Sequence, residues 1–288
     1  MTVRLGGVVI TNPSKPLWPA EGLTKLDLAQ FYSRIASQIL PWLKGRPLAL
    51  ERCPDGARKT CFYQHLAPAN LPDGVPTMPL PAPPAGHQAQ YIIGGTRKTL
   101  LTLVNYGCVA MHVMNSRTDH LDRPDWLAFD LDPADGFESA ARAGLLLRDL
   151  LADHGLESFP KTSGGRGLHV FVPLRRGAAQ DQVQAYAAAI ARELATAYPT
   201  LISVEPKKAR RRAPVYVGIM RNASGQTIAP PFAVRWQSLA PVSMPLSWDE
   251  VSPRLSPGIF NIRTAERRMA RKSPWSRFFG HRQTLPRI

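Results

Sequence analysis

Asp130 and Asp132 are the two residues of this chain whose type and spacing most directly suggest chemistry. They stand in the run Trp126-Leu127-Ala128-Phe129-Asp130-Leu131-Asp132-Pro133. In a strand, residues two apart share a face, so the two carboxylates emerge together while Phe129 and Leu131 pack behind them. Paired carboxylates on an apolar strand repel one another and resist desolvation unless a cation compensates them. A divalent ion supplies that charge, and two ions ~4 Å apart serve the attacking and leaving oxygens of a phosphoryl transfer. The plainer reading is a strand end whose acids cap the following turn, helped by Pro133.

A second feature is Lys161-Thr162-Ser163-Gly164-Gly165-Arg166-Gly167-Leu168-His169-Val170. Its glycines let a backbone approach a ligand closely, and successive N–H groups in such a turn can form an anion nest. The Ser163 hydroxyl and nearby cations add donors. The alternative is an ordinary hairpin turn, with His169 a structural strand histidine. His112, ahead of Asn115-Ser116-Arg117, is equally open between a structural and a ligand-facing role.

The elements that must position these groups follow from periodicity and punctuation. Thr24 is an N-cap, opening a helix through Asp27, Leu28, Phe31, Tyr32, Ile35 and Ile39 that ends near Pro41. Pro47 to Arg52 and Tyr91 to Ile93 are strands, and the proline-laden stretch 66–87 is an ordered irregular loop. Helices are expected over 99–111, 138–151 and 181–197, and a short one at 266–269. Strands are expected over 125–132, after the glycine-rich turn to Val172, and over 215–220, with 228–234 a further candidate. Strands and helices in no regular alternation imply an α+β fold, with mixed or antiparallel sheets flanked by helices.

Composition narrows the partners. The 288 residues suffice for one large domain, and a 44% hydrophobic content supplies a core. With 36 Lys+Arg against 21 Asp+Glu, the net charge of +15 favours a polyanion as partner. A membrane is disfavoured: there is no basic amphipathic helix, no spanning apolar run, and no signal-peptide core after Met1. Cys53, Cys61 and Cys108 are too few and scattered for a disulfide framework or a zinc site, so a reduced, cytoplasmic protein is expected.

The ordered series of motifs resembles the polymerase domain of bacterial DNA ligase D, within the archaeo-eukaryotic primase superfamily, over nearly the whole chain. The series runs from Asn12-Pro13-Ser14-Lys15-Pro16-Leu17-Trp18-Pro19 and Leu23-Thr24-Lys25 through Arg52-Cys53-Pro54-Asp55-Gly56 and Phe62-Tyr63-Gln64-His65. It continues with Met111-His112, Asn115-Ser116-Arg117, Asp122-Arg123-Pro124-Asp125, the paired aspartates and the glycine-rich turn, and closes with Arg221-Asn222, Thr227-Ile228-Ala229-Pro230 and Arg235. The resemblance implies a single primase-polymerase-like domain over 1–288 with a basic tail from about 264. It implies that Asp130 and Asp132 bridge two Mn2+ or Mg2+ ions, that Ser163, His169 and Arg235 hold an incoming triphosphate, and that His112 lies near its sugar and phosphates. Lys15 and Lys25 match lysines that grip a 5′-phosphate across a DNA gap, and Phe62 and Tyr63 match an aromatic pair that packs on the template. Lysines bind phosphate as point charges and aromatic faces stack on bases without reading sequence.

Two departures stand out. Where the family carries a third metal-binding aspartate, this chain has Gly218, which should weaken the ion that activates the primer 3′-hydroxyl. Glu205 and Asp119 are candidate spatial replacements. His65 stands where relatives commonly have lysine. The expected function is template-directed nucleotidyl transfer on gapped or broken, 5′-phosphorylated DNA, using nucleoside triphosphates, in bacterial double-strand break repair beside the nucleoid. A separately encoded DNA ligase and a Ku-like end-binding protein are the partners this implies. Competing readings are a DNA-end-binding member with weakened catalysis, a primase starting chains de novo, and a nucleotide-binding regulator. The run Lys207-Lys208-Ala209-Arg210-Arg211-Arg212 is either a solvated loop or a DNA-backbone contact.

Overall fold

The computed structural model describes residues 2–57, 59–82 and 87–286. Two small hairpins open the chain, from β1 (Thr2–Leu5) and β2 (Val8–Thr11), then β3 (Pro16–Trp18) and β4 (Leu23–Thr24). Helix α1 (Lys25–Arg34) begins at Thr24, whose hydroxyl accepts from the Asp27 N–H while the Asp27 carboxylate accepts from the Thr24 N–H, a closed capping box. The helix expected to run on to Ile39 divides at Ile35, and α2 (Ala36–Leu43) follows with Pro41 inside it.

One sheet is built from β5 (Pro47–Arg52), β6 (Phe62–Gln64), β7 (Thr77–Ala82), β8 (His87–Ile93) and, after α3 (Arg97–Asn105), β9 (Cys108–Val113). Its order is β6-β5-β8-β7, with β9 also on β5. Here three sequence expectations need correction. The stretch 66–87 is not wholly irregular: β7 runs along the sheet edge, where Pro79 and Pro81 cost no ladder donor. The helix expected to reach Met111 stops at Asn105, because Gly107 turns the chain in the left-handed region (φ 87°); His112 therefore lies on a buried strand. Cys53 and Cys61 form a disulfide, brought together by the turn at Gly56 (φ 100°), so only Cys108 is a free thiol.

The other sheet has the order β11-β12-β10-β14-β13. At its centre β10 (Trp126–Pro133) pairs antiparallel with β12 (Leu168–Pro173) and β14 (Val215–Gly218); β11 (Phe159–Thr162) and β13 (Ile202–Ser203) complete it. Helices α4 (Phe137–Asp153) and α5 (Gln180–Ala197) pack on β10. Strand β14 ends at Gly218, and the Asn222 side chain continues the pairing: its amide accepts from the Ala128 N–H and donates to the Ala128 carbonyl, both at 2.8 Å. The segment expected as a strand at 228–234 makes only isolated bridges, since Pro230 and Pro231 lack donors and Phe232 adopts φ 69°.

After α6 (Ala265–Met269) the tail is not a loose basic segment. Trp275 and Phe278 are buried, stacked on each other, and packed with Trp42, Trp126, Phe159 and Phe171. One continuous hydrophobic cluster joins both sheets and their helices. No helix among the described residues is long and apolar enough to cross a membrane.

Candidate active site

The register of the second sheet sets four residues in one cross-strand row. Lys161 on β11 opposes His169 on β12, His169 opposes Asp130 on β10, and Asp130 opposes Gly218 on β14. Directly opposed residues share a face, so the row lies on the face from which Asp132 also projects. That face forms one wall of a cleft of about 710 Å³.

Asp130 is held on both sides. His169 Nε2 is 3.3 Å from one carboxylate oxygen and Arg221 Nε is 3.4 Å from the other. Burial by itself would raise its pKa, but His169 and Arg221 outweigh it and keep Asp130 below the usual carboxylate range. Asp132 is more exposed and lies 3.8 Å from Arg211, whose guanidinium stacks over Tyr216 at 3.9 Å. Arg211 comes from the basic run 207–212, so that run is neither merely solvated nor only a DNA contact.

Gly218 faces the same carboxylates. A Cβ there would sit 3.4 Å from Asp130 Cβ and 3.2 Å from Tyr216 Cε1. Neither suggested replacement reaches the cleft, for Asp119 pairs with Arg176 at 2.7 Å and the Glu205 carboxylate accepts from the Lys207 N–H. Among the described residues no group of three or more His, Cys, Asp or Glu is arranged to hold a metal. Two carboxylate oxygen donors on one face suit one hard divalent ion whose remaining ligands come from phosphate and water. They do not suit a second, since Arg211 and Arg221 already supply positive charge at the outer oxygens.

The glycine-rich turn differs from an open anion nest. The N–H groups of Gly165 and Gly167 both donate to Ser163 Oγ, at 3.1 Å each, so those two donors are spent inside the loop. The hydroxyl, with both lone pairs engaged, keeps its proton for a ligand. Gly164 needs its left-handed φ of 75°, and a Cβ there would strike Arg235 Cγ at 2.5 Å.

The opposite wall centres on Glu51, 1% exposed, which sequence reasoning missed. Its carboxylate lies 3.4 Å from both His112 Nε2 and Arg235 Nε, and Arg235 also donates to the Ser163 carbonyl at 3.2 Å. Burial would raise the Glu51 pKa, yet His112 and Arg235 bring it below the ordinary value. His112 is pushed down to about 4, chiefly by burial, and His169 to about 4 by burial and then by Lys161. Both imidazoles are therefore neutral near pH 7. Gln237 lines the cleft with a buried Oε1 that has no hydrogen-bond partner.

The cleft thus gathers Asp130, Asp132, Ser163, His169, His112, Arg235 and Tyr63, and His65 as well. Phe62 does not join them. It pairs in register with Arg52 while Tyr63 pairs with Glu51, so the two rings take opposite faces of β6. Tyr63 meets His112 edge-on at 5.3 Å; Phe62 is exposed, 5.4 Å from the Arg52 guanidinium. Lys15 and Lys25 lie together outside the cleft, tied by the Lys25 N–H donating to the Lys15 carbonyl. Lys25 is buried, donates to the Thr11 carbonyl at 2.8 Å, and has its pKa lowered to about 8 by burial and by Lys15.

Comparison with known proteins identifies the family. Residues 24–275 match the family described as LigD, primase-polymerase domain. The multifunctional non-homologous end joining protein LigD of Pseudomonas aeruginosa is 33% identical over 285 residues, covering 97% of this chain and 34% of its own length. The bifunctional LigD of Bacillus subtilis is 30% identical over 280 residues, covering 96% and 45%. This chain therefore spans between a third and a half of these relatives. The solved polymerase domain of Mycobacterium tuberculosis ligase D, in complex with DNA, superposes with a TM-score of 0.87 at 26% identity, covering 96% of this chain and 99% of that one. The chain belongs to the LigD primase-polymerase domain family, whose named relatives act in non-homologous end joining.

Proposed function

We propose that this chain is a template-directed nucleotidyltransferase that extends the 3′ end of a gapped or broken, 5′-phosphorylated DNA. The observation that carries the reading is the cleft itself: paired carboxylates on one strand face share it with a Ser163, His112, His169 and Arg235 set suited to a polyphosphate. Arg235 offers its guanidinium, Ser163 its remaining hydroxyl proton, and His169 the Nε2 edge that lies beside Asp130, while His112, its Nε2 against Glu51, holds that carboxylate next to Arg235. Transfer joins the 3′-oxygen to the α-phosphorus, breaks the bond to the bridging oxygen of the β-phosphate, and releases pyrophosphate, the hydroxyl proton passing to water. Asp130 and Asp132 would hold Mn2+ or Mg2+, which when bound neutralises phosphate charge. The Lys15–Lys25 pair takes the 5′-phosphate, and Tyr63, at the cleft mouth, takes a base of the template. A DNA ligase activity and a Ku-like end-binding protein are the partners this work implies.

Gly218 favours a second reading, a DNA-end-binding member with little turnover. Primer extension on a gapped duplex with Mn2+ and each ribo- and deoxyribonucleotide separates the two. Incorporation above an Asp130→Ala control supports the polymerase. No incorporation, with tight binding that depends on the 5′-phosphate, supports the binding protein.

A further inference from the structure

Lys161 has no place in the chemistry above, yet it is wholly inaccessible and begins the row that ends at Gly218. Its Nζ lies 2.8 Å from His169 Nδ1 and donates to Ser243 Oγ. The Ser243 hydroxyl proton is already directed to the Thr162 carbonyl at 2.7 Å, so Ser243 offers Lys161 only a lone pair. Beside it is the Phe171 ring, at 5.4 Å. Among the described residues no carboxylate forms an ion pair with this lysine; the compensation runs through His169 to Asp130. A buried amine in such surroundings is costly, and an apolar side chain would fill the space more cheaply.

We propose that Lys161 is a positioning residue that fixes the tautomer of His169, so that Nε2 carries the proton and faces the anionic side of the cleft. The acceptor-only Asp130 carboxylate at Nε2 and an amine that can donate at Nδ1 are both satisfied by one pattern. Lys161 donates to Ser243 and to His169 Nδ1, which must then be the bare nitrogen; the proton sits on Nε2, 3.3 Å from Asp130 Oδ1. With the other tautomer, a nitrogen lone pair would face Asp130 and any phosphate beside it, turning an attraction into a repulsion. The lysine thereby makes Nε2–H a donor of fixed direction toward the cleft. The arrangement parallels the orientation of metal-ligating histidines by their outer partners, except that here the partner is a donor and not an acceptor.

The proposal rests on the nucleotide-binding reading of the cleft only for its consequence, not for the tautomer itself, and the two are tested separately. In 15N-histidine-labelled protein at neutral pH without nucleotide, long-range 1H–15N correlations, assigned with His169→Ala, should show His169 protonated on Nε2. An Nδ1–H tautomer in the unaltered protein overturns the proposal with no variant needed. In Lys161→Met, checked for folding by circular dichroism, the Nε2–H signature should be lost or mixed; an unchanged tautomer also overturns it. Calorimetric titration with nucleoside triphosphate and Mn2+ supplies the coupling. Lys161→Met should weaken affinity roughly tenfold, and the Lys161→Met/His169→Ala double variant should bind no more weakly than His169→Ala alone. Additive losses would mean that the lysine acts on packing and not through His169. If the unaltered protein binds no nucleotide, the cleft reading fails while the tautomer measurement still decides the role of Lys161.

Discussion

Replacing Gly218 with aspartate should make the stability ranking of variant and wild type depend on Mn2+. The new side chain would share a face with Asp130, its Cβ 3.4 Å from Asp130 Cβ, and Gly218 does not use a left-handed φ, so the backbone accepts the change. Tyr216 Cε1, at 3.2 Å, and the Asp130 carbonyl oxygen, at 3.3 Å, must each yield by a few tenths of an ångström. Two carboxylates about 5 Å apart at an effective dielectric constant near 20 repel by about 3 kcal/mol. Arg221, already 3.4 Å from Asp130, offsets part of that, and loss of glycine's unfolded-state entropy recovers ~0.5–1 kcal/mol. The metal-free variant should therefore be less stable by about 1–2 kcal/mol, a few degrees in melting temperature. With Mn2+, the third carboxylate becomes a ligand. At a hundredfold excess over its dissociation constant a newly bound ion adds ~2.7 kcal/mol, enough to place the variant above the wild type. Melting curves with and without Mn2+, together with the loss of the free-Mn2+ electron paramagnetic resonance signal, measure both halves. A variant that melts alike in either condition, or a wild-type protein that already binds two ions, would refute the reasoning.

Three further outcomes are expected. Asn222→Ala strips the buried Ala128 N–H and carbonyl of their partners, and at ~1–3 kcal/mol per orphaned group urea unfolding should show a loss of about 3 kcal/mol; under 1 kcal/mol would contradict the strand-continuing role. His112, ordinarily titrating at 6.5 and held at about 4, gives stability that is full above pH 6.5 and declines as pH falls through 4, because the unfolded chain takes the proton first. Between pH 7 and 5 the wild type should lose about 2 kcal/mol more than His112→Gln; equal losses would show that the histidine is not held neutral. Lys25, with its pKa lowered to about 8, is charged at pH 7 and loses its proton well before an ordinary lysine. The affinity gain from a DNA 5′-phosphate should therefore fade from pH 7 to 9.5 in the wild type and persist in Lys25→Arg; a gain that stays flat to pH 9.5 in the wild type would separate Lys25 from that phosphate.

Much of the second sheet was legible because its signals are local. The alternation around Asp130 and Asp132 predicts a strand with both acids on one face, and β10 has that form. The Thr24 cap and the long helices α4 and α5 announce themselves by capping chemistry and apolar spacing. What stayed hidden depends on distant pairing. Pro79 and Pro81 look like loop residues until the strand is known to lie on a sheet edge. Glu51 looks like any charged residue in an apolar strand until β9 brings His112 beside it and Arg235 closes from nearly two hundred residues away. Arg211 is lost in a run of like charges, because nothing in such a run marks which guanidinium folds back on Tyr216 and Asp132.

The charges of the cleft bear on which of the two proposed activities the molecule favours. Asp130 and Asp132 face Arg166, Arg211, Arg221 and Arg235, so the lining carries more fixed positive than negative charge before any metal enters. A third carboxylate at position 218 would move that balance toward neutrality and toward a second ion. Its absence does the opposite, leaving arginines where an ion would otherwise be drawn. Holding a triphosphate needs the positive excess; activating a 3′-hydroxyl needs a metal ion that coordinates its oxygen and lowers its pKa, which an arginine does not do. On the proposed polymerase reading, glycine at 218 should lower turnover much more than nucleotide affinity, and Gly218→Asp should raise turnover with little change in affinity.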